Sequence, residues 1–314
     1  MHIIASTLAG VRIGQPESFA GLTLFPLFGQ PEGDRDYLTL DEALAAGLVE
    51  IGEVSEGGRV PELEVRNAGK RPVLLLDGEE LVGAKQNRVL NLSILVPPQA
   101  RIVVPVSCVE AGRWAWQGRR FRGSGRTQYA RGRARKAAQV SESLNARGSR
   151  RADQGAVWRD IDRKAAALGV HSATAAMADL FDSYTGDIEH YVTRFQAWPG
   201  QTGALFGIGG RVTGCELFDH PETFGNSLSK LVRSYGLDAI EQHRPGAPDV
   251  TPSPQGAQRF VDSVAAAEVT GYDAIGLGED LRLVAEHLTG AALAADGRVV
   301  HLCAFETVES GTVE

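Results

Sequence analysis

Two adjacent carboxylates, Glu79 and Glu80, followed closely by Lys85-Gln86-Asn87-Arg88, are the densest set of side chains able to do chemistry in this chain. They lie in residues 73–88, Val-Leu-Leu-Leu-Asp-Gly-Glu-Glu-Leu-Val-Gly-Ala-Lys-Gln-Asn-Arg, between strongly apolar runs. A carboxylate beside Lys85 or Arg88 stays ionised and can orient a hydroxyl or a water. One held in an apolar pocket has its pKa raised and can deliver a proton. The cations and amides suit a polyanionic or polyhydroxylated ligand: Arg grips phosphate or carboxylate through two parallel bonds, and Asn and Gln read hydroxyls or base edges. A second cluster, Cys108-Val109-Glu110 with Arg113-Trp114, ends a neighbouring apolar run. Glu110 and Arg113 can complete a site with Glu79 or Glu80, and Trp114 can serve as a stacking wall. The candidate acids and bases are therefore Glu79, Glu80 and Glu110. The candidate ligand contacts are Lys85, Gln86, Asn87, Arg88, Arg113 and Trp114. Each has a plainer reading: a Glu–Lys or Glu–Arg brace on a hairpin, Asn87 capping a turn, Glu110 paired locally with Arg113, Trp114 in the core.

Other motifs point to less. Cys108 has no His nearby and reads as a buried strand cysteine. Gly207-Ile208-Gly209-Gly210 lacks the lysine of a phosphate loop and reads as a hairpin turn. Cys215, Glu216, Asp219 and His220 fit no zinc spacing, so no metal is expected.

The elements that must position these groups are legible in outline. Residues 22–28 alternate around Pro26, which marks an edge or bent strand. Thr39-Leu40-Asp41-Glu42 is a capping box opening a short helix stopped by Gly47, and residues 48–54 alternate as a strand. Between 60 and 109 the pattern predicts strands at 60–65, 72–76, 88–96 and 101–109, with a hairpin turn at Asn67-Ala68-Gly69-Lys70. Residues 101–109 pair with 88–96, placing Arg88 and Glu110 at one end of the sheet. The middle is helical: Val157, Ile161, Ala165, Leu168; then Ala173 to Tyr184 with Ser172 as N-cap; then Ile188, Tyr191, Val192, Phe195. Residues 204–218 read as a hairpin turning at Gly209-Gly210. Helices follow at 221–235, 257–267 and 279–289, the proline-bearing stretch 243–255 is a loop, and 298–305 is a last strand. The fold class is α+β, with a strand-rich N-terminal part as a sandwich or curled antiparallel sheet, a helical middle and a mixed C-terminal part. The 314 residues read as one large domain with sub-parts 1–115, 116–200 and 201–314.

An apolar fraction of 43% exceeds what a disordered chain carries, and no apolar run reaches membrane-helix length. Three well-separated cysteines and no leader-like start predict a cytoplasmic protein without a disulfide framework. The net charge of −7 conceals a basic segment: residues 119–151 hold 11 Lys/Arg and one acid, leaving −17 on the remainder. The part of this segment from Tyr129 to Leu144 can be helical, but its apolar face is mostly Ala and predicts weak packing. The segment reads as a solvated arm or one docked on acidic surface. An arm gripping an acidic partner or RNA is the alternative, non-enzymatic function.

The blocks 78–88 and 105–114, with Gln201-Thr202-Gly203, the 209–219 hairpin and residues 230–235, resemble the ARPP domain family, named for association with ADP-ribosylglycohydrolases and rhodanese/phosphatase-superfamily proteins. The resemblance spans roughly residues 10–305. It implies a role in NAD or ADP-ribose metabolism, which fits a nucleoside diphosphate as partner for the 85–88 run. The function expected on these grounds is binding of ADP-ribose or a related NAD-derived nucleotide. If the protein is an enzyme, the reaction is hydrolysis of a glycosidic or phosphate bond. The sequence names no cofactor and no oligomeric state.

Overall fold

A run of short strands separated by Gly, Pro and Asn can bury its apolar faces only by curling on itself or by stacking on another layer. In the computed structural model, which describes residues 2–31, 33–55, 61–243, 246 and 248–307, this chain does both. The chain opens with helix α1 (Ile3–Ala9), then β1 (Arg12–Ile13), β2 (Glu17–Phe19) and β3 (Leu22–Phe28). Strand β4 (Leu38–Thr39) leads into α2 (Leu40–Ala45). Next come β5 (Val49–Glu53), β6 (Glu62–Asn67), β7 (Val73–Leu75), β8 (Glu79–Ala84), β9 (Arg88–Leu90), β10 (Ile94–Val96), β11 (Ala100–Cys108) and β12 (Gln117–Thr127). Helices α3 (Ala130–Arg147), α4 (Gln154–Leu168), α5 (Met177–Ser183) and α6 (Thr185–Arg194) form the middle. The last part holds β13 (Gly203–Ile208), β14 (Arg211–Phe218), α7 (Pro221–Gln242), α8 (Pro254–Ala266), β15 (Glu268–Asp273), β16 (Glu279–Ala285), β17 (Leu288–Ala295) and β18 (Arg298–Glu306). The fold is α+β, and the curled N-terminal sheet is a closed barrel.

That barrel runs β11-β6-β5-β12-β8-β9, and its interior is filled by Ile51, Leu63, Val65, Leu81, Leu90, Val104, Val106 and Phe121. A nine-stranded antiparallel sheet stands beside it, in the order β1-β3-β13-β14-β18-β17-β16-β15 with β2 also on β3. One face of this sheet packs under α7 through Phe206, Phe218, Phe305, Phe224, Leu231 and Tyr235. Helices α1 and α8 cover the other through Leu8, Val261 and Val264. The middle helices lie on the barrel's outer wall, where Val89 and Val109 meet Ile161, Met177, Leu180 and Phe181. No helix among the described residues is long and apolar enough to cross a membrane.

Two local predictions hold, a cap and a turn. Thr39 and Glu42 close the capping box of α2. Gly209 and Gly210, with φ of 59° and 82°, turn the β13–β14 hairpin in the left-handed conformation that a two-residue turn requires. Five expectations are corrected. Residues 88–96 are not one strand. Asn91 bonds Arg150 and Ser107, and Ser93 bonds His301, so the chain leaves the barrel after β9 and enters a three-stranded sheet as β10. The Asn67–Lys70 turn joins no hairpin, because β6 pairs with β5 and β11 and not with β7; Val60 lies outside the described residues. Residues 279–285 are strand, since Leu281 and Leu283 face the core while Asp280 and Arg282 pair on the other side, a period of two. Helix α5 starts at Met177 rather than after Ser172, whose hydroxyl accepts from Ala176 N–H and donates to Asp179. Strand β3 is interior, paired with β13 on one side. Pro26 is tolerated because its missing N–H falls in the break between β1, which pairs with residues 27–28, and β2, which pairs with residues 22–24.

The basic segment is not a solvated arm. Its first part is barrel strand β12 and its second is α3, buried without a wide apolar face. Arg133 pairs with Asp77 at 3.0 Å and with Glu216 through two bonds, and Lys136 meets Asp77 at 3.0 Å. Arg120, Arg126, Arg131, Arg135, Arg150 and Arg151 also have carboxylate partners, so at least eight of the 11 cations are matched within the chain. The docked reading is the one the fold adopts, with charge replacing apolar area as the means of holding α3.

Candidate functional site

The register decides which candidates meet. Arg88 of β9 lies opposite Cys108 of β11 and Leu81 of β8. Two residues on, Leu90 opposes Val106, and both fill the barrel core. Arg88 and Cys108 therefore point inward at one end of the barrel, whereas Val89 points out into the helical layer. The same end holds the last residue of β5, Glu53, which opposes Leu63 and shares the inward face of Val49 and Ile51. Strand β8 terminates there in Gly83 (φ 135°) and Ala84 (φ 40°). A Cβ on Gly83 would come within 2.6 Å of the Arg120 carbonyl, and Ala84 holds a left-handed backbone that an L side chain disfavours. This kink turns residues 85–88 out of the wall and across the barrel end. Gln154, the first residue of α4, fastens β11 beneath them by exchanging two 2.8 Å bonds with the Cys108 backbone.

The two sequence clusters interlock at this end. Arg113 donates to Asn87 Oδ1 (3.0 Å) and to the carbonyls of Ala84 (3.0 Å) and Ala115 (2.9 Å), and it pairs with Glu110 at 2.6 Å. The Glu110 carboxylate accepts from the Asn87 N–H and from Thr174, and its carbonyl accepts from Gln86. Gln86 in turn accepts from Arg88 at 3.1 Å. Lys85 Nζ lies 5.0 and 5.1 Å from the rings of Trp114 and Trp116, and the Arg88 guanidinium lies 5.9 Å from Trp114. Lys85, Gln86, Asn87, Arg88, Glu110, Arg113 and Trp114 thus form one assembly.

Glu79 and Glu80 are not part of it. Consecutive strand residues diverge, and Glu79 and Glu80 lie on β8 before its Gly83–Ala84 kink. Glu79 sits at the opposite end of β8, about 17 Å away at ~3.3 Å per residue, paired with Lys230, which Asp41 also meets at 2.7 Å. Glu80 faces outward against the helical layer. It is buried, and neither oxygen makes a well-formed hydrogen bond, although the Ser124 hydroxyl lies close enough to favour its charged form. Burial pushes its carboxyl up to about 7, with the Ser124 hydroxyl and the Arg126 charge offsetting only part of that.

Most of the assembly is satisfied internally, and the exceptions are informative. Arg88 is fully buried, yet its Nε and Nη2 have no partner, and burial lowers its pKa. Both Glu53 oxygens are buried and unmatched. Burial raises the Cys108 thiol, against the nearby Arg88 charge, so the cysteine stays protonated. Trp114 and Trp116, about half exposed, stand over the barrel end. A cavity of about 570 Å³ opens beside them, lined by Gly52, Glu53, Ser55, Trp116, Gly118 and Arg119. Sequence reasoning passed over Glu53 and Trp116. The signal for Glu53 was present, because it is an acid at the apolar parity of Val49 and Ile51.

The chain belongs to the ARPP-1 family, the ARG and Rhodanese-Phosphatase-superfamily-associated Protein domain, whose model matches residues 10–305. No curated protein and no solved structure matches the chain.

Proposed function

We propose that this ARPP-1 family member binds ADP-ribose or a related NAD-derived nucleotide at the Arg88 end of the barrel. The observation that carries this reading is the buried guanidinium of Arg88, with two unmatched nitrogens beneath an exposed indole. A buried cation lacking its counter-charge is costly, by several kcal/mol per ion on general grounds. A phosphate oxygen pair is a partner of the right shape for Nε and Nη2. Trp114 and Trp116 provide faces on which a base can stack, and binding at the buried guanidinium requires the 111–116 connection to move aside. The family's association with ADP-ribosylglycohydrolases supports the choice of nucleotide. Hydrolysis extends the same reading. None of the three candidate carboxylates serves it directly at this end: Glu79 and Glu110 are bound to cations, and Glu80 faces the helical layer on the outside of the barrel.

Calorimetric titration of ADP-ribose, NAD and ADP into the wild type and Arg88→Met tests binding. Saturable heat with a nucleotide that disappears in Arg88→Met is expected; absence of heat with all three nucleotides removes the reading. Incubation with NAD and ADP-ribose, following release of nicotinamide, AMP or ribose 5-phosphate, tests hydrolysis. The alternative of an arm gripping RNA or an acidic partner loses its support, because the cations of residues 119–151 are largely matched by carboxylates of the same chain.

A further inference from the structure

Glu53 and Arg88 approach the same problem from opposite signs. One is a carboxylate with two unmatched oxygens, the other a guanidinium with two unmatched nitrogens. Both point inward at the same barrel end, on β5 and β9, and each lies within the other's electrostatic reach. They nevertheless form no hydrogen bond or close ion pair with one another, and each is left with empty valences. A ligand that matches both must present anionic oxygens on one side and two neighbouring hydrogen-bond donors on the other. A carboxylate accepts two adjacent hydroxyls through its two oxygens, whereas a phosphate or pyrophosphate alone offers it only repulsion. Glu53 is also one of the residues lining the 570 Å³ cavity, large enough for a pentose and its phosphate, together with Ser55 and Trp116; the covered Glu53 oxygens and the Arg88 guanidinium lie behind its wall, so a ligand that meets both must part the barrel-end cover.

We infer that the barrel end is a subsite for a phosphorylated pentose, in which Glu53 accepts hydrogen bonds from the vicinal hydroxyls and Arg88 holds the phosphate. This inference rests on the nucleotide reading for the Arg88 end and assigns the sugar to a residue that reading does not use. The shared chemistry is the ribose phosphate unit, which reaches the site either as a free sugar phosphate or as part of a dinucleotide. Glu53 is a specificity-determining residue here: it favours a ligand with a diol and rejects one that is only an anion.

Three probes on three proteins separate the cases: ribose 5-phosphate, ADP-ribose and inorganic pyrophosphate, titrated calorimetrically into the wild type, Glu53→Gln and Glu53→Asp. The expected result is at least tenfold weaker binding of the two sugar-bearing probes in both variants. Pyrophosphate should bind equally well or more tightly in Glu53→Gln, because a repelling charge has been removed. Glu53→Asp retains the charge but withdraws it by one methylene, so it should lose the sugar without gaining pyrophosphate. Both variants should remain folded, with at most a small shift of melting temperature, since among the described residues Glu53 makes no hydrogen bond or close ion pair and acts on Arg88 only through its charge. Sugar-probe affinities within twofold of wild type in both variants would overturn the inference, as would equal weakening of all three probes or no binding of any probe. If ADP-ribose binds all three proteins alike, the nucleotide reading stands and the sugar subsite falls. If ribose 5-phosphate binds in a Glu53-dependent way and ADP-ribose does not bind, the subsite stands and the nucleotide reading falls.

Discussion

Two clusters of buried charge lie on either side of the barrel wall, built from the same residue types and finished in opposite ways. Behind the barrel, Asp77, Arg133, Lys136, Glu216 and His301 balance one another's charge: Arg133 bridges Asp77 and Glu216, Lys136 holds Asp77 Oδ1 as an ion pair and donates to the Leu90 carbonyl, and Tyr235 donates to Glu216. His301 completes the set by joining Glu216 (3.1 Å) to Ser93 (2.8 Å). At the open end of the barrel, Arg88 is as deeply buried and Glu53 partly so with both carboxylate oxygens covered, and both keep unmatched atoms. A closed network spans α3, the barrel and the large sheet, so it holds the fold together. An open one is destabilising unless a ligand completes it. Burial of charge therefore does not by itself mark a site in this protein; a buried charge without a close counter-ion is the better guide.

The sharpest way to break this contrast is Arg133→Ala. It leaves Glu216 buried without its main counter-ion and takes one of two cations from Asp77, and should cost about 3–5 kcal/mol of folding stability, read as a lower urea midpoint. A shift under about 1 kcal/mol would mean the network is dispensable. Glu80→Gln comes next, through pH. An acid whose folded pKa of about 7 exceeds its unfolded value of 4.5 holds its proton longer when folded. It contributes no difference below pH 4.5, and it destabilises progressively as pH rises from 4.5 to 7. At pH 8 the penalty is on the order of 3 kcal/mol. Glu80→Gln should remove it and flatten the stability profile between those values. A parallel profile in the variant would show that Glu80 ionises normally.

Arg88→Met should do the reverse of Arg133→Ala. Melting temperature should hold or rise, because an unmatched cation is replaced by an apolar chain, while ADP-ribose affinity falls about 100-fold, roughly 2.7 kcal/mol. Loss of folding in Arg88→Met would place Arg88 with the structural cluster instead. Trp114→Ala is the smallest effect. The ring is about half exposed, so stability should be unchanged and nucleotide affinity should fall about tenfold, in line with base–aromatic stacking.

Much of the candidate site could be read from the chain because its members are local. Residues 85–88 and 108–114 each carry their polar groups within a few positions, and antiparallel pairing of β9 with β11, across the β10 excursion, brings them together in the Arg88–Cys108 register. The error over residues 88–96 did no harm, since only its first three residues pair in the barrel. The remainder was hidden for a physical reason. Glu79 and Glu80 look equivalent in sequence, and strand alternation alone predicts that they diverge. Which of them would meet a counter-ion depended on Lys230, 150 residues away, arriving on α7. Glu53 lay in the apolar phase of its strand, an anomaly that became meaningful only once the barrel closed and placed it across from Arg88.

Composition, capping signals and strand periodicity were enough to set the α+β class, the α2 capping box, the β13–β14 turn and the identity of the polar assembly, because those follow from interactions over a few residues. The fate of the 119–151 cations was not available from such local rules. An Ala-rich, Arg-rich helix has too little apolar area to bury itself, and it lies inside this protein because distant strands and helices present Asp77, Glu216, Asp160 and Asp238 to it. Long-range pairing of charge, like the closure of the barrel, is decided by the meeting of segments far apart in the chain.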